Sequence, residues 1–275
     1  MRKLGPRAFY DAAGLLVFAV MMFPIYWMVS TAFKPGKEIL SLTPYFVPAE
    51  VTLDNFKTAI AVPFFWNDVV NSLTVVLTVV AISIVLAFLA AVAVARLGFH
   101  GRTAFIVMVI GVQMVPLNAL VIPIYLLLDS AGQVDSLLGV IAYYLAVVLP
   151  FMIWTLRGFV QNIPVDLEEA AMVDGATRVG AFMRIVFPLV APGLVATAIF
   201  GFIQAWNEYI IAYVLLSSPE KQTLTIWLAS FTTAHGTDWG GLMAGATLTA
   251  LPVVVFFLAV QRHVAGGLTA GAVKG

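Results

Sequence analysis

The sequence has no cysteine, three histidines and few charges: Asp, Glu, Lys and Arg make up 10% of 275 residues. The missing cysteine excludes disulfides, thiolate nucleophiles and Cys-based metal sites together. His100, His235 and His263 all lie between or beside the long apolar stretches, and neither an H-E-x-x-H nor a carboxylate-rich metal spacing occurs. The Ser and Thr residues within those stretches have no nearby His and Asp, so hydrolase or acyltransferase chemistry in the membrane has poor support. A P-loop is missing too: the nearest approach, Gly266 to Gly271, is followed by Ala272 where a lysine must meet phosphate. Lys plus Arg number 14, equal to Asp plus Glu, so no net field favours nucleic acid or an acidic partner. With no internal repeat and no spacer rich in Gly, Ser or charge, the chain reads as a single domain, 1–275.

What is present is apolar. Hydrophobic residues make up 62% of the chain, against about 45–50% in soluble domains. Six stretches without Asp, Glu, Lys or Arg, at 12–33, 69–95, 103–128, 136–156, 185–207 and 239–261, exceed the roughly 18 residues that a bilayer core demands. They predict an all-α integral membrane protein of six transmembrane helices, the fifth extending to about 216. The first stretch, after Arg2, Lys3 and Arg7, is longer than the apolar part of a signal peptide and reads as an uncleaved anchor. Six spans put the N-terminus, 96–102, 157–184 and the tail 262–275 on one side, with 10 of the 14 basic residues. The positive-inside rule makes that side, with both termini, cytoplasmic.

The loops are unequal. Outside, 34–68 carries Pro35, Pro44, Pro48 and Pro63 among aromatic residues and reads as an ordered cap with short helices. Loop 129–135 is a tight turn, and 222–237 is too short and polar to span, which suggests a surface or re-entrant helix. Pro24, Pro116, Pro123, Pro150 and Pro252 interrupt the spans. Each removes a backbone hydrogen bond, which lipid tolerates only where a neighbour or a water-lined cavity satisfies the freed carbonyl.

The most polar stretch, 161–175, faces the cytoplasm. Pro164 suits a first helical turn, Asp166, Glu168 and Glu169 suit the positive end of the helix dipole, and Asp174-Gly175 supplies a stop. A second helix follows, with Val179, Phe182, Met183 and Val186 on one face, closed by Pro188. Lipid-surface helices favour a basic polar face. This first helix is acidic, so docking into another protein is the better reading, and Ala170 and Ala171 let a partner approach the backbone.

Glu169-Ala170-Ala171, three residues, Gly175, nine residues, then Ile185-Val186-Phe187-Pro188 resembles the EAA loop of prokaryotic ABC importer permeases, with Phe187 where leucine is usual. The tail from Gln261-Arg262 through Gly267 to Gly275, Ala32-Phe33-Lys34-Pro35 and Trp206-Asn207-Glu208-Tyr209 are similar to carbohydrate permeases of the maltose-transporter G-subunit type. The resemblance covers nearly the whole chain. It implies a permease subunit of the prokaryotic cytoplasmic membrane that imports a sugar, with ATP and magnesium bound on a separate ATPase dimer and no cofactor on this chain. A second homologous permease and an extracytoplasmic sugar-binding protein complete the implied assembly. The coupling loop, 161–188, would dock on the ATPase through Glu168, Glu169, Ala170, Ala171, Asp174, Gly175, Ile185 and Pro188, and the tail would reach toward the same subunit.

Polar groups within the spans must line any path. Glu208 is the sole carboxylate well inside an apolar run, and such a group faces a bundle interior or cavity by default. Gln204, Asn207, Glu208 and Tyr213 are neighbours on the fifth helix, and Gln113 and Asn118 flank Pro116 on the third. These could bind sugar hydroxyls, with Tyr143, Tyr144 or Trp206 offering aromatic faces; helix-to-helix hydrogen bonding is the alternative use. An ion-coupled secondary transporter with Glu208 as its coupling carboxylate is the competing function. Such carriers often show two related halves with paired broken helices, and none is evident here. The absence of an intramembrane Arg or Lys favours a di- or oligosaccharide over a phosphorylated cargo.

Overall fold

The computed structural model describes residues 6–270, with side chains described for 9–116 and 119–261. It is mostly helical. The elements are α1 (Pro6–Ala32), α2 (Gly36–Ile39), α3 (Asp54–Ala61), α4 (Phe65–Arg96), α5 (Arg102–Gln113), α6 (Val121–Ser130), α7 (Leu137–Gln161), α8 (Val165–Val173), α9 (Arg178–Ala181), α10 (Phe187–Trp206), α11 (Ile210–Leu215) and α12 (Leu224–Ala229). A two-stranded antiparallel hairpin, β1 (Thr232–Thr233) and β2 (Gly236–Thr237), precedes α13 (Trp239–Ala270).

Among the described residues, five helical stretches are long and apolar enough to cross a membrane: Phe9–Ala32, Phe65–Arg96, Leu137–Gln161, Arg178–Trp206 and Trp239–Gln261. The stretch 103–128 is not one helix. It divides into α5, a 3-10 turn at Leu117–Leu120, and α6. Pro116, extended at φ −70° and ψ 93°, cannot donate to the ladder, and the preceding turn ends at Met114.

The chain forms two compact units, residues 6–66 with 227–252 and residues 67–226 with 253–270. In the first, Asn55 Nδ2 donates to the carbonyls of Ala32 (2.9 Å) and Lys34 (2.8 Å), fastening α3 to the end of α1. The Glu38 carboxylate accepts the N–H groups of Ala49 and Glu50, each at 3.1 Å, which folds the proline-rich loop back on itself. Its ordered cap with short helices is thus present as α2 and α3. No residue in the most apolar stretch of α1 is buried; a helix apolar all round suits lipid or another protein chain, not water.

The second unit is built on α7 and α10. Val148, Met152, Leu156 and Val160 recur every fourth residue on α7 and are fully buried. Against them α10 sets small residues: a Cβ added to Gly201 would lie 3.2 Å from Val148 and 3.3 Å from Met152, and one on Gly193 would strike the Phe159 ring. Lipid tails are as apolar as leucine, so association rests on close packing, which small residues allow. Phe151 and Phe200 stack across the pair with centroids 3.7 Å apart. Asp135, in the left-handed region at φ 55°, ties loop 129–135 to the 217–221 segment by accepting from Ser217 N, Ser218 N, Ser218 Oγ and Lys221 Nζ. Those charge-assisted bonds hold its carboxyl far below the usual carboxylate range, Lys221 contributing most and Ser218 next.

Candidate functional site

The polar segment folds as a helix, sharp turn and helix. Pro164 precedes the first turn of α8 at ψ 135°. Its end is a Schellman motif: Ala176 N–H reaches Ala171 O (2.9 Å), Gly175 N–H reaches Met172 O (3.1 Å), and Gly175 stands at φ 89°, where a Cβ would be strained. Thr177 then caps α9, its Oγ1 accepting Gly180 N–H.

Beyond the cap, the structure departs from the sequence reading. Pro188 does not close the second helix. The chain runs from α9 through one π-turn, Phe182–Val186, straight into α10, with Phe187 N–H bonded to Phe182 O. Proline has no N–H for the carbonyl four residues back and its ring crowds that carbonyl; the wider turn moves the carbonyl aside. Val179, Phe182, Met183 and Val186 do not share one buried face. Val186 is buried and Phe182 packs on Phe88 of α4, while Val179 and Met183 are exposed. Ile185 lies half-buried in this turn and Pro188 is exposed.

A residue 72 positions away holds the segment to the bundle. Arg96, at the end of α4, donates from Nε to Glu168 Oε1 at 2.7 Å and from Nη2 to Ile163 O at 2.9 Å. Both charged side chains are largely out of solvent. Phe88 adds a second tie, lying 5.6 Å from both Phe182 and Phe187. Glu168 therefore points inward. Glu169, Ala170 and Asp174 are exposed and Ala171 is half-buried, and Glu169 makes no hydrogen bond or ion pair among the described residues. Beside them lies a cleft of about 290 Å³, with Val92, Leu97, Met172, Val179 and Phe182 in its apolar wall and Arg178 and Glu169 at its polar edge.

The fifth span breaks after Trp206 and restarts at Ile210. Glu208 sits in the break as a helix cap: Oε1 accepts Ile211 N–H (2.9 Å), Oε2 accepts Ala212 N–H (3.1 Å), and Tyr144 donates its hydroxyl to Oε2 at 2.8 Å. Thr225 secures the same residue's carbonyl at 2.9 Å. A cleft of about 160 Å³ is lined by Tyr143, Tyr144, Val147, Gln204 and Glu208, so two of the six sequence-derived path residues come together. Asn207 donates to Ile203 O within its own helix, Tyr213 stacks on Tyr209, and Gln113 is exposed at the end of α5. None of these three lines the cleft. The side chain of Asn118 lies outside the described residues, as do the tail side chains beyond 261.

Sequence reasoning missed Arg96, whose partner no local spacing indicates, although it is the basic residue closing the second span. It also missed the capping role of Glu208, which exists only because the helix breaks after Trp206. No group of three or more His, Asp or Glu side chains is placed to hold a metal among the described residues.

Residues 83–269 match the family model described as the binding-protein-dependent transport system inner membrane component. The chain belongs to this family. It is similar, at 45% identity over all of this chain and 99% of the relative, to the diacetylchitobiose uptake system permease protein DasC of Streptomyces coelicolor. It is 33% identical, over 95% of this chain and 94% of the relative, to the trehalose/maltose transport system permease protein MalG of Thermococcus litoralis. In fold it resembles a chain from the crystal structure of a bacterial ABC transporter involved in the import of the acidic polysaccharide alginate, with a TM-score of 0.78 at 21% identity over 95% and 98% of the two chains. The protein is thus an inner-membrane permease subunit of an ABC transporter and not an enzyme, the ATPase being a separate subunit.

Proposed function

We propose that this permease moves a sugar of di- or oligosaccharide size into the cytoplasm, as part of an importer with a second homologous permease, an ATPase dimer that binds ATP and magnesium, and an extracytoplasmic sugar-binding protein. The relatives named for diacetylchitobiose and for trehalose and maltose support the cargo class. In this reading the chain crosses the membrane six times, with α5 and α6 together making one interrupted crossing, and both termini are cytoplasmic, in keeping with the 10 basic residues on that side. The observation that carries the reading is the segment 161–188: a helix capped at Gly175, secured from behind by Arg96, and presenting Glu169, Ala170 and Asp174 outward. Docked on the ATPase, it passes closure of that subunit directly into α10, because the π-turn leaves no loose joint between them. The cleft at Gln204, Glu208, Tyr143 and Tyr144 serves the path, Gln204 offering both a donor and an acceptor to hydroxyls. The ion-coupled alternative leaves the capped segment without a role and uses a carboxylate already occupied by three donors.

The test is affinity copurification from native membranes of the wild type and of Glu169→Arg and Gly175→Arg variants inserted to the same level. An ATPase and a second permease accompany the wild type, and the ATPase is lost from the variants. A wild-type chain that emerges alone and transports in liposomes without ATP overturns the reading.

A further inference from the structure

The first compact unit holds a cleft remote in sequence from the coupling segment and from the fifth span. Its volume is about 290 Å³, and its lining includes Trp27, Thr31, Lys34, Glu38, Tyr45 and Trp239. Two of these residues are buried, and neither side chain makes a hydrogen bond among the described residues. Thr31 is 6% exposed, and its Oγ1 has no hydrogen-bond partner. Lys34 is 2% exposed; its Nζ lies 4.1 Å from the centroid of the Trp27 ring and feels the charge of Glu38, but it donates no hydrogen bond among the described residues. A buried hydroxyl is costly to leave without a partner, and an ammonium that donates no hydrogen bond retains three donors, so both are poised for acceptors that the chain itself does not supply.

The surrounding groups narrow the class of ligand. Trp239 and Tyr45 add aromatic surface to the lining, beside the Trp27 ring that Lys34 covers. Glu38 accepts one N–H on each oxygen and retains lone pairs for further donors. An anion would meet Lys34 but also the charge of Glu38, and an apolar group would satisfy neither Thr31 nor Lys34. A neutral ring rich in hydroxyls supplies acceptors to Thr31 and Lys34, donors to Glu38, and a C–H face to the aromatic surface. We propose that this cleft is a carbohydrate subsite on the extracytoplasmic side, sized for one pyranose ring and separate from the cleft at Glu208. The proposal rests on the sugar-import reading and on the orientation that places 34–68 outside. It gives Thr31 and Lys34 a direct role in receiving sugar.

The test uses the assembled importer, without its binding protein, in lipid nanodiscs. Diacetylchitobiose, trehalose and maltose are first screened for ATP-driven uptake with the binding protein present. The imported sugar is then titrated against the isolated complex while tryptophan fluorescence is followed. Saturable quenching is expected, and Thr31→Val, which deletes the hydroxyl at constant shape, and Lys34→Met each raise the half-saturating concentration about tenfold. Trp239→Phe, which keeps a flat face, retains more affinity than Trp239→Leu in equilibrium dialysis of the labelled sugar. If Lys34→Met fails to assemble, the isosteric Thr31→Val carries the test. An importer that takes up a sugar with its binding protein, but shows no saturable binding of it alone or binds it equally in all variants, overturns the subsite and leaves the function standing. Saturation by sodium acetate and not by sugar makes the cleft an anion site and overturns the proposal. An importer that takes up no sugar removes the function, and the subsite falls with it.

Discussion

Glu168→Gln and Arg96→Met test whether the inward ion pair holds the coupling segment in place. The two side chains are 13% and 15% exposed and meet at 2.7 Å, and the same guanidinium holds Ile163 O at 2.9 Å. Removing one partner of a fully buried pair costs roughly 3–5 kcal/mol, whereas charge-assisted hydrogen bonds are worth about 1.5–3 kcal/mol. Residual exposure places Glu168→Gln near the lower figure, about 2 kcal/mol, and Arg96→Met, which also abandons the Ile163 carbonyl, nearer 3 kcal/mol. Because both act on one interaction, the double variant falls short of the sum by about 2 kcal/mol. In the assembled complex, amide exchange across 165–176 reads the opening of α8 directly; a loss of about 2 kcal/mol speeds it roughly thirtyfold if opening is local. In the proposed docking on the ATPase, the functional companion is a higher ratio of ATP hydrolysed to cargo moved, since a segment loose on α4 would pass less of the ATPase motion to α10. Exchange within about twofold of the wild type in both single variants refutes the reasoning and leaves the pair a surface contact.

Gly175→Ala forces a Cβ into the left-handed region at φ 89°, costing about 1–2 kcal/mol; the variant's amides at 174–176 exchange faster and it retains less ATPase on copurification. Tyr144→Phe removes one of three donors to the Glu208 carboxylate and lowers the melting temperature in detergent, while Glu208→Ala strips the cap from α11 and lowers it further. Equal melting for all three proteins contradicts the capping role. Asp135 gives a pH prediction. Its carboxyl is held below the ordinary carboxylate value, so its contribution is present in full above that value and fades as pH falls through it toward the depressed one. Protection of 132–135 and 217–221, corrected for intrinsic exchange, is therefore level from pH 8 to about 5 and declines below about pH 4. Loosening that begins near pH 6 contradicts the assignment.

Some of this architecture is local in origin and was legible in the chain. Length and apolarity located the long helices, since a stretch that cannot face water has few alternatives. The stop at Gly175 follows from one residue's freedom at positive φ; Pro116 marks the break before Leu117, whereas Pro24, Pro150 and Pro252, read as interruptions, lie inside helices that continue through them. Pro188 shows the limit of that reasoning. A proline ends an α-helix in isolation, but here a five-residue π-turn absorbs it, and Phe88 from α4 packs against both sides of that turn. The outcome depends on a neighbouring helix that no window around Pro188 contains.

Glu208 shows the same limit at the candidate path. Its isolation in an apolar run marked it as a group in need of a cavity or a partner, and it has both: a cleft beside Gln204, and the hydroxyl of Tyr144. What the run could not show is that the helix stops beneath it. With the chain broken between Trp206 and Ile210, two backbone N–H groups are left without intrahelical acceptors, and the carboxylate satisfies them. A cavity-facing carboxylate that also caps a broken helix couples the shape of the path to anything that draws it away from Ile211 and Ala212. A cargo hydroxyl that competes for Glu208 therefore loosens the turn at 207–209 as it binds, and amide exchange at Ile211 and Ala212 rises when the transported sugar is added. Unchanged exchange at saturating sugar separates the cap from the path and leaves Gln204 and the tyrosines to make the contacts.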